Sequence, residues 1–533
     1  MRGWAKAALG AAPWAAEVYQ RTRHNGAVPP GGYRSDRLAS ALPRWASAIK
    51  RAAAPSGRRA LVMSYLSWWL EHSSAVSILL ASQGHAVDLA FLPYRTWKEA
   101  SAPFDAHRQA AYLRSVLDAG RPWFRPIDLL RVAPRRLPVE LQQVIDRQSL
   151  LDVQYTQQRE AVNLDAPPDS DLYRLRRERN VRAAAAVLRL LTAGDYSVVI
   201  VPNGSILEFA AVYHAARSVG IPVVTYEFGE QRERMWLARD TQVMRQDTSG
   251  VWAARGSVPL TEAESGRVQD LYRARRGGES WGNFARQWQA GVSQGAAATR
   301  QVLGLDSSTP LVLLCTNVVG DSLALDRQIF TEGMSDWLAR TVQHFASRPD
   351  VQVVVRVHPG ELLGAGQPSV EIVRQSLPDL GGRVAVVPPD SKINTYDLME
   401  LSHIGVVYTS TVGMELAMTG VPVIVAGDTH YRGKGFTDDP VTWQQYVECL
   451  DRRVAESPGR RLPGAQIDLA WRYAYRFFFE YPMAYPWHLI GFWDDMAARP
   501  LEGVVRSKLS PDLGATVEAL MAISSPSVVG ASA

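Results

Sequence analysis

A chain of 533 residues is longer than one hydrophobic core ordinarily supports, so two main domains with additions are expected. A hydrophobic content of 47% with 21% charged residues describes a globular protein, and a net charge of +5 over this length is too weak to suggest a nucleic-acid binder while suiting anionic substrates or an anionic membrane surface. Cys315 and Cys449, the two cysteines, stand in separate elements without metal spacing, which excludes a disulfide framework and makes a reducing cytoplasm the default.

No apolar run approaches the roughly 20 residues needed to span a bilayer. The N-terminal stretch MRGWAKAALGAAPWAAEVYQRTRH has no continuous apolar core and is broken by Pro13, so it does not read as a signal peptide. Its Trp4, Leu9, Trp14 and Val18 suit packing on the protein's own body, or contact with the inner face of a membrane. Residues 1–57 are therefore expected to be an N-terminal helical region.

From Arg59 the pattern becomes α/β. Arg59–Tyr65 reads as a strand, Ser73–Ser82 as its helix and Ala86–Leu92 as the next strand. Residues 95–190 show no strand pattern and many Arg and Leu at helical spacing, which predicts a helical insertion. Tyr196–Pro202 resumes the sheet and ends in Asn203, Gly204 and Ser205. A helix from Ile206 to Val219 leads to the buried run Ile221–Thr225, which finishes in Tyr226-Glu227-Phe228-Gly229-Glu230. This alternation predicts a Rossmann-like domain over 58–290.

A second such domain is expected over 300–460. It opens at Pro310–Thr316, followed by Asn317, and continues with a helix over Gln328–Ala346. The strand Val351–Val357 ends in His358-Pro359, where proline stops the strand and fixes the turn. Arg383–Pro388 reads as another strand, and Asn394 begins the next helix. Ile404–Tyr408 is then a buried strand, followed by Thr409, Ser410 and Thr411, by Gly413 and by a helix carrying Glu415 in its first turn. In a strand–turn–helix unit of this kind, ligands sit at the carboxyl end of the strand. The hydroxyls offer donors to an anion, His358 offers an imidazole that shares charge when protonated, and Glu415 suits two vicinal sugar hydroxyls. The same residues serve equally well as a helix cap and a structural histidine. An aromatic amphipathic helix is expected over 466–500 and a disordered tail over 520–533.

The ordered set His358-Pro359, Thr409-Ser410-Thr411-Val412-Gly413-Met414-Glu415, Gly420-Val421-Pro422-Val423 and His430 to Thr437 resembles the capsule polysaccharide synthesis proteins. That family includes capsular Kdo transferases and is similar to bacterial sialyltransferases with an HP motif. The resemblance covers residues 296–450 and, more weakly, 58–250. It implies a GT-B glycosyltransferase with two facing Rossmann-like domains, the second gripping the donor nucleotide, and the segment 466–500 as a crossover helix. It also points to a CMP-linked acidic sugar such as Kdo as donor, and to a growing polysaccharide or glycolipid as acceptor. The helical insertion and the Tyr226–Glu230 segment depart from the family pattern, which leaves donor and acceptor open.

Glycosyl transfer needs the leaving phosphate stabilised, the acceptor hydroxyl deprotonated and water kept out. The expected phosphate and nucleotide residues are His358, Pro359, Thr409, Ser410, Thr411, Gly413 and Glu415, with Thr316, Asn317, Arg432 and Lys434 beside them. Asn203, Gly204 and Ser205 stand on the acceptor side, and Glu227 is the expected base, with Glu230 and Glu208 next. No Asp-x-Asp motif stands at a suitable strand end, so neither a metal nor a cofactor is required beyond the nucleotide sugar. Two other chemistries fit the same fold, sugar-nucleotide epimerisation and polyol-phosphate transfer. A catalytically silent scaffold of a capsule assembly complex is the reading from another class.

Overall fold

The apolar runs become strands largely where the sequence puts them. The computed structural model describes residues 13–24, 28–29, 32–49, 57–229, 231–277, 292–364, 366, 368–378, 383–456, 461–506 and 508–523. The chain divides into two units, Met1–Val153 with Asn163–Met244 and Met483–Ala533, and Gln154–Val162 with Arg245–Pro482. Each is built on a largely parallel sheet of Rossmann type, as the α/β reading expects.

In the first unit the strands are β1 (Arg59–Tyr65), β2 (Ala86–Leu92), β3 (Arg125–Asp128), β4 (Val198–Pro202), β5 (Val223–Glu227) and β6 (Arg234–Arg239). A two-residue strand, Met483–Ala484, completes a sheet whose order is Met483–Ala484, β6, β5, β4, β1, β2, β3. β1 to β5 run parallel, and β6 and Met483–Ala484 are antiparallel additions. Every residue of β1 after Arg59 is buried, as a parallel strand covered on both faces requires.

The stretch 95–190 is not free of strands, as its sequence suggests, because it contains β3. This edge strand reads Arg-Pro-Ile-Asp and has neither length nor apolar alternation to reveal it. Its register is fixed by charge. Arg125 stands opposite Asp88 of β2 and donates to both its carboxylate oxygens at 3.0 and 2.6 Å, while the Tyr196 hydroxyl adds a bond at 2.6 Å. The rest of the insertion is helical, over Pro103–Leu117, Val139–Gln157 and Asp169–Ala193. Between two of its helices and the helix Leu207–Ser218 lies a fully buried ionic group in which Arg176 meets Glu208 at 2.7 Å and Asp152 at 3.4 Å. The N-terminal helix Pro13–His24 packs on Pro103–Leu117, with Trp14 and Val18 exposed, whereas Trp4 and Leu9 lie outside the described residues.

The strands of the second unit are β7 (Leu311–Cys315), β8 (Gln352–Arg356), β9 (Val384–Val387), β10 (Ile404–Val407) and β11 (Val423–Val425). All are parallel, in the order β11, β10, β7, β8, β9. Their valines, leucines and isoleucines bury Trp337 and Tyr446. Asn394 caps the helix Thr395–Leu401 as its sequence predicts, accepting from Tyr396 N at 2.8 Å. The helix expected over Gln328–Ala346 begins only at Met334, because Gly333 lets a distant residue cap it.

The aromatic stretch near the C-terminus is not one helix. An α-helix, Gly464–Tyr475, passes into a π-helical turn, Arg476–Glu480, closed by Tyr481 N on Arg476 O at 2.7 Å. From Met483 the chain belongs to the first unit, where Phe492–Ala498 is again helical. The final ten residues, part of the expected tail, lie outside the described residues.

Within the second core, Tyr446 hydroxyl accepts from the Trp337 indole at 2.9 Å and bonds Thr341 Oγ1 at 2.9 Å. Tyr446→Phe would leave both buried partners without it, at about 1–3 kcal/mol. Urea unfolding should show that loss as a lower midpoint with an unchanged slope; an unshifted midpoint would remove the bond from the core's account.

Candidate nucleotide site

In the second unit the chain runs from β7 outward to β8 and β9, then returns to place β10 on the other side of β7. The crossovers thus diverge between β7 and β10, and a crevice opens outside the carboxyl ends of strands at such a point. The loops there carry Thr316 and Asn317 after β7, His358 after β8 and Thr409 to Thr411 after β10.

Most of these polar groups hold one another. Thr316 Oγ1 accepts from His358 N at 3.1 Å, and Asn317 Oδ1 accepts from Thr409 N at 3.1 Å. The first bond ties β7 to β8, the second β7 to β10. Thr409 Oγ1 donates to Leu323 O at 3.0 Å, so its hydroxyl proton is engaged in the fold. Ser410 O accepts from the Tyr431 hydroxyl at 2.6 Å, while Ser410 Oγ accepts from Val412 N at 3.4 Å and keeps its own proton. Thr411, half-buried, caps the short helix Val412–Met418 through its backbone. Gly413 is required by space, since a Cβ there would lie 2.4 Å from Tyr431 Oη.

His358 is half-buried at the start of the turn Pro359–Leu363. Its Nδ1 accepts from Gly360 N at 2.9 Å, which leaves the proton on Nε2. Burial, and then the Arg356 charge, lower its pKa to about 4. The imidazole is therefore a neutral donor at physiological pH, and the charge sharing expected of a protonated ring does not occur there.

Two expected ligands, Glu415 and Arg432, are engaged elsewhere. Glu415 is 4% exposed, with Oε1 on Arg275 Nη1 at 2.5 Å and Oε2 on the Tyr396 hydroxyl at 2.5 Å. It lies beneath the site as a buried counter-charge, not on a surface where ribose hydroxyls would meet it. Arg432 donates to Val425 O at 2.8 Å and to Pro440 O, clamping the loop after β11. Its guanidinium is thereby committed to backbone carbonyls. Lys434, half-buried on the same loop, has its pKa lowered by burial and lies within electrostatic reach of Asp247.

The sequence gives no signal for Arg327, which is 5% exposed and lies 3.9 Å from Asp428. Burial and the neighbouring Arg245 bring its pKa down to about 10. Nor does it reveal that Arg275 and Tyr396 would enclose Glu415, since neither lies near it in the chain.

In the first unit β4 ends in a tight loop where Asn203 has φ 58° and Gly204 φ 77°. A Cβ on Gly204 would meet Thr225 Cγ2 at 2.5 Å. Asn203 Nδ2 donates to Glu227 Oε2 at 2.9 Å, and Phe228 N donates to Glu227 Oε1 at 3.0 Å. Glu227 is therefore held by hydrogen bonds, not by the apolar pocket its aromatic neighbours suggest. Ser205 O accepts from Gln148 at 3.1 Å, and Asp152 accepts from Leu207 N at 2.7 Å. Glu208 is fully buried on Arg176, which lowers its pKa against the opposing effect of burial, so it is an ionised structural partner and no base. Glu230 lies outside the described residues.

Among the described residues no group of three or more His, Cys, Asp or Glu side chains is placed to hold a metal ion, and no helix is long and apolar enough to cross a membrane.

No curated protein matches the chain. Among solved structures it is similar to KpsC, the β-Kdo 2,4-transferase of Thermosulfurimonas dismutans, at 19% identity and TM-score 0.36, over 54% of this chain and 82% of that one. It is also similar to the UDP-GlcNAc 2-epimerase of Neisseria meningitidis, at 13% identity and TM-score 0.27, over 79% and 99% of the two chains. A glycosyltransferase of Rickettsia africae ESF-5 is matched at 8% identity and TM-score 0.28, over 88% and 100%. The sequence of the second unit is the more specific: residues 273–475, which contain β7 to β11 and every loop of the candidate nucleotide site, match the family of capsule polysaccharide biosynthesis proteins.

Proposed function

We propose that the protein is a glycosyltransferase of capsule polysaccharide assembly that binds its nucleotide-sugar donor at the carboxyl ends of β7, β8 and β10. The observation that carries this reading is the meeting of Asn317, His358 and the Thr409–Thr411 turn at the divergence point of the second sheet. His358 Nε2–H, with the hydroxyls of Ser410 and Thr411, would donate to the leaving phosphate, whose charge grows as the glycosidic bond breaks. In the first unit Glu227 is the proposed base, with Asn203 orienting its carboxylate. The motif resemblance supports a CMP-linked acidic sugar such as Kdo as donor. The family match over residues 273–475 supports a polysaccharide as acceptor; a glycolipid acceptor and contact with the inner face of the plasma membrane belong to the same proposal.

A thermal-shift panel of CMP, CDP, UDP and GDP tests the donor site, since ligand at a hundred times its dissociation constant stabilises by about 2.7 kcal/mol. His358→Ala and Ser410→Ala should each weaken the nucleotide that binds by about 1.5–3 kcal/mol, with little change in the melting temperature of the free protein. Unaltered binding in both variants would dismiss the site.

The protonation state of His358 adds a pH test. An imidazole with a pKa of about 4 stays a neutral donor through the range in which an ordinary histidine titrates. The affinity ratio of parent to His358→Gln should thus stay flat from about pH 8 to about pH 5.5. A ratio that climbs as pH falls through about 6.5 would show a charged ring instead.

Glu227→Gln should keep nucleotide affinity and lose about 10²–10⁴-fold in single-turnover rate. An active variant with a lowered melting temperature would assign Glu227 to its loop alone and send the search for the base elsewhere.

A further inference from the structure

Residues 154–162 leave the helical insertion of the first unit and are built into the second. What they touch there is specific. Glu160 Oε1 accepts from Met334 N at 2.8 Å and Oε2 accepts from Ser335 N at 2.7 Å, capping the helix Met334–Ala346 from 174 residues away in sequence. The N-terminal end of that helix favours a carboxylate. Gly333 makes the approach possible, because a Cβ there would lie 2.6 Å from Glu160 Oε1. The strap braces itself as well: Gln154 Nε2 donates to Glu160 O at 2.6 Å.

Three more glycines record how closely the strap runs. A Cβ on Gly320 would meet Gln158 Cα at 2.6 Å, and Arg159 N and Gln154 O at 2.8 Å each. On Gly364 it would collide with Gln158 Oε1, and on Gly366 with Gln158 O at 2.0 Å. Gly320 and Gly333 lie in the segment between β7 and its helix, which begins with Thr316 and Asn317. Gly364 and Gly366 follow the turn that His358 opens. The strap therefore touches the two loops that carry Thr316, Asn317 and His358, one of them near both of its ends. Glu160 is also felt at Tyr408, which leads into the third loop: burial, and then this carboxylate, raise the Tyr408 hydroxyl above its usual range.

We infer that residues 154–162 are a clamp that holds the β7 and β8 loops in their nucleotide-binding shape, with Glu160 as its positioning residue. The inference deepens the donor-site reading and rests on it for the identity of the ligand. Glu160 itself touches no substrate in this scheme; it acts through the backbone it caps.

The test is hydrogen exchange on the full chain without ligand, combined with nucleotide affinity for CMP, CDP, UDP and GDP. Glu160→Ala should raise exchange over 316–333 and 357–364, and weaken nucleotide binding on the order of tenfold, with the melting temperature of the free protein nearly kept. Glu160→Gln, which retains one carbonyl acceptor, should fall between parent and alanine variant. Gly333→Ala should reproduce the alanine variant by pushing the carboxylate away. Faster exchange confined to residues 334–337 would make Glu160 a helix cap and overturn the clamp. Were Glu160→Ala to unfold, the glutamine variant gives the same two readouts. A parent that binds none of the four nucleotides defeats the donor reading, while the exchange pattern still decides whether the clamp exists.

Discussion

A parallel strand that leaves its sheet hands over backbone groups that the ladder no longer pairs, and buried groups of that kind must find partners. In the second unit the partners are side chains from neighbouring strand ends. Thr316 answers His358 N, Asn317 answers Thr409 N, and the Tyr431 hydroxyl answers Ser410 O. Removing one such side chain would leave a buried donor or acceptor unpaired, which costs more than a hydrogen bond contributes. The site's shape thus depends on the same polar residues that a sequence reading assigns to the ligand. What such a cluster offers a phosphate is its remainder: the hydroxyl proton of Ser410 and the side chain of Thr411.

This division of labour explains which parts of the molecule could be read from the chain. Apolar runs bounded by turn residues located β1, β2, β4, β5, β7, β8 and β10, because a strand covered on both faces needs nothing beyond continuous hydrophobicity. Asn394 announced its helix, because a cap is a local bond between neighbours. β3 was invisible, since its place is fixed by Arg125 and Asp88 across 37 residues. The start of the helix at Met334 was invisible for the same reason, its cap arriving from 174 residues away. Local grammar predicts local structure, and long-range pairing overrides it.

The carboxylates make the point for function. Glu227, Glu415, Glu208 and Glu160 carry one chemistry, and three of them sit near a strand end or a helix start, where sequence reasoning looks for a base or a ligand. Glu415 closes on Arg275 and Tyr396, and Glu208 on Arg176, in buried pairs whose loss would strand an unpaired charge. Glu227 keeps a half-buried position, where Asn203 Nδ2 and Phe228 N donate to it. Residue type and turn position were legible in the sequence. The partner that decides each role was not, because it lies on another element in every one of these cases.

Arg432 follows the same rule from the cationic side. Its position in the loop after β11 invites a phosphate role, yet two carbonyls, Val425 O and Pro440 O, already take its guanidinium. A planar fork with five donors suits such bracing as well as it suits an anion, and the choice turns on which acceptors the backbone leaves unpaired nearby. The loop there winds through Gly433 at φ 73° and Gly435 at φ 90°, and the Gly435 carbonyl is taken by Gln466 at 3.1 Å, not by the arginine. A glycine-rich stretch with one arginine is therefore ambiguous in principle. Carbonyls on either side of the glycines compete with a phosphate for the arginine, and here the carbonyls win.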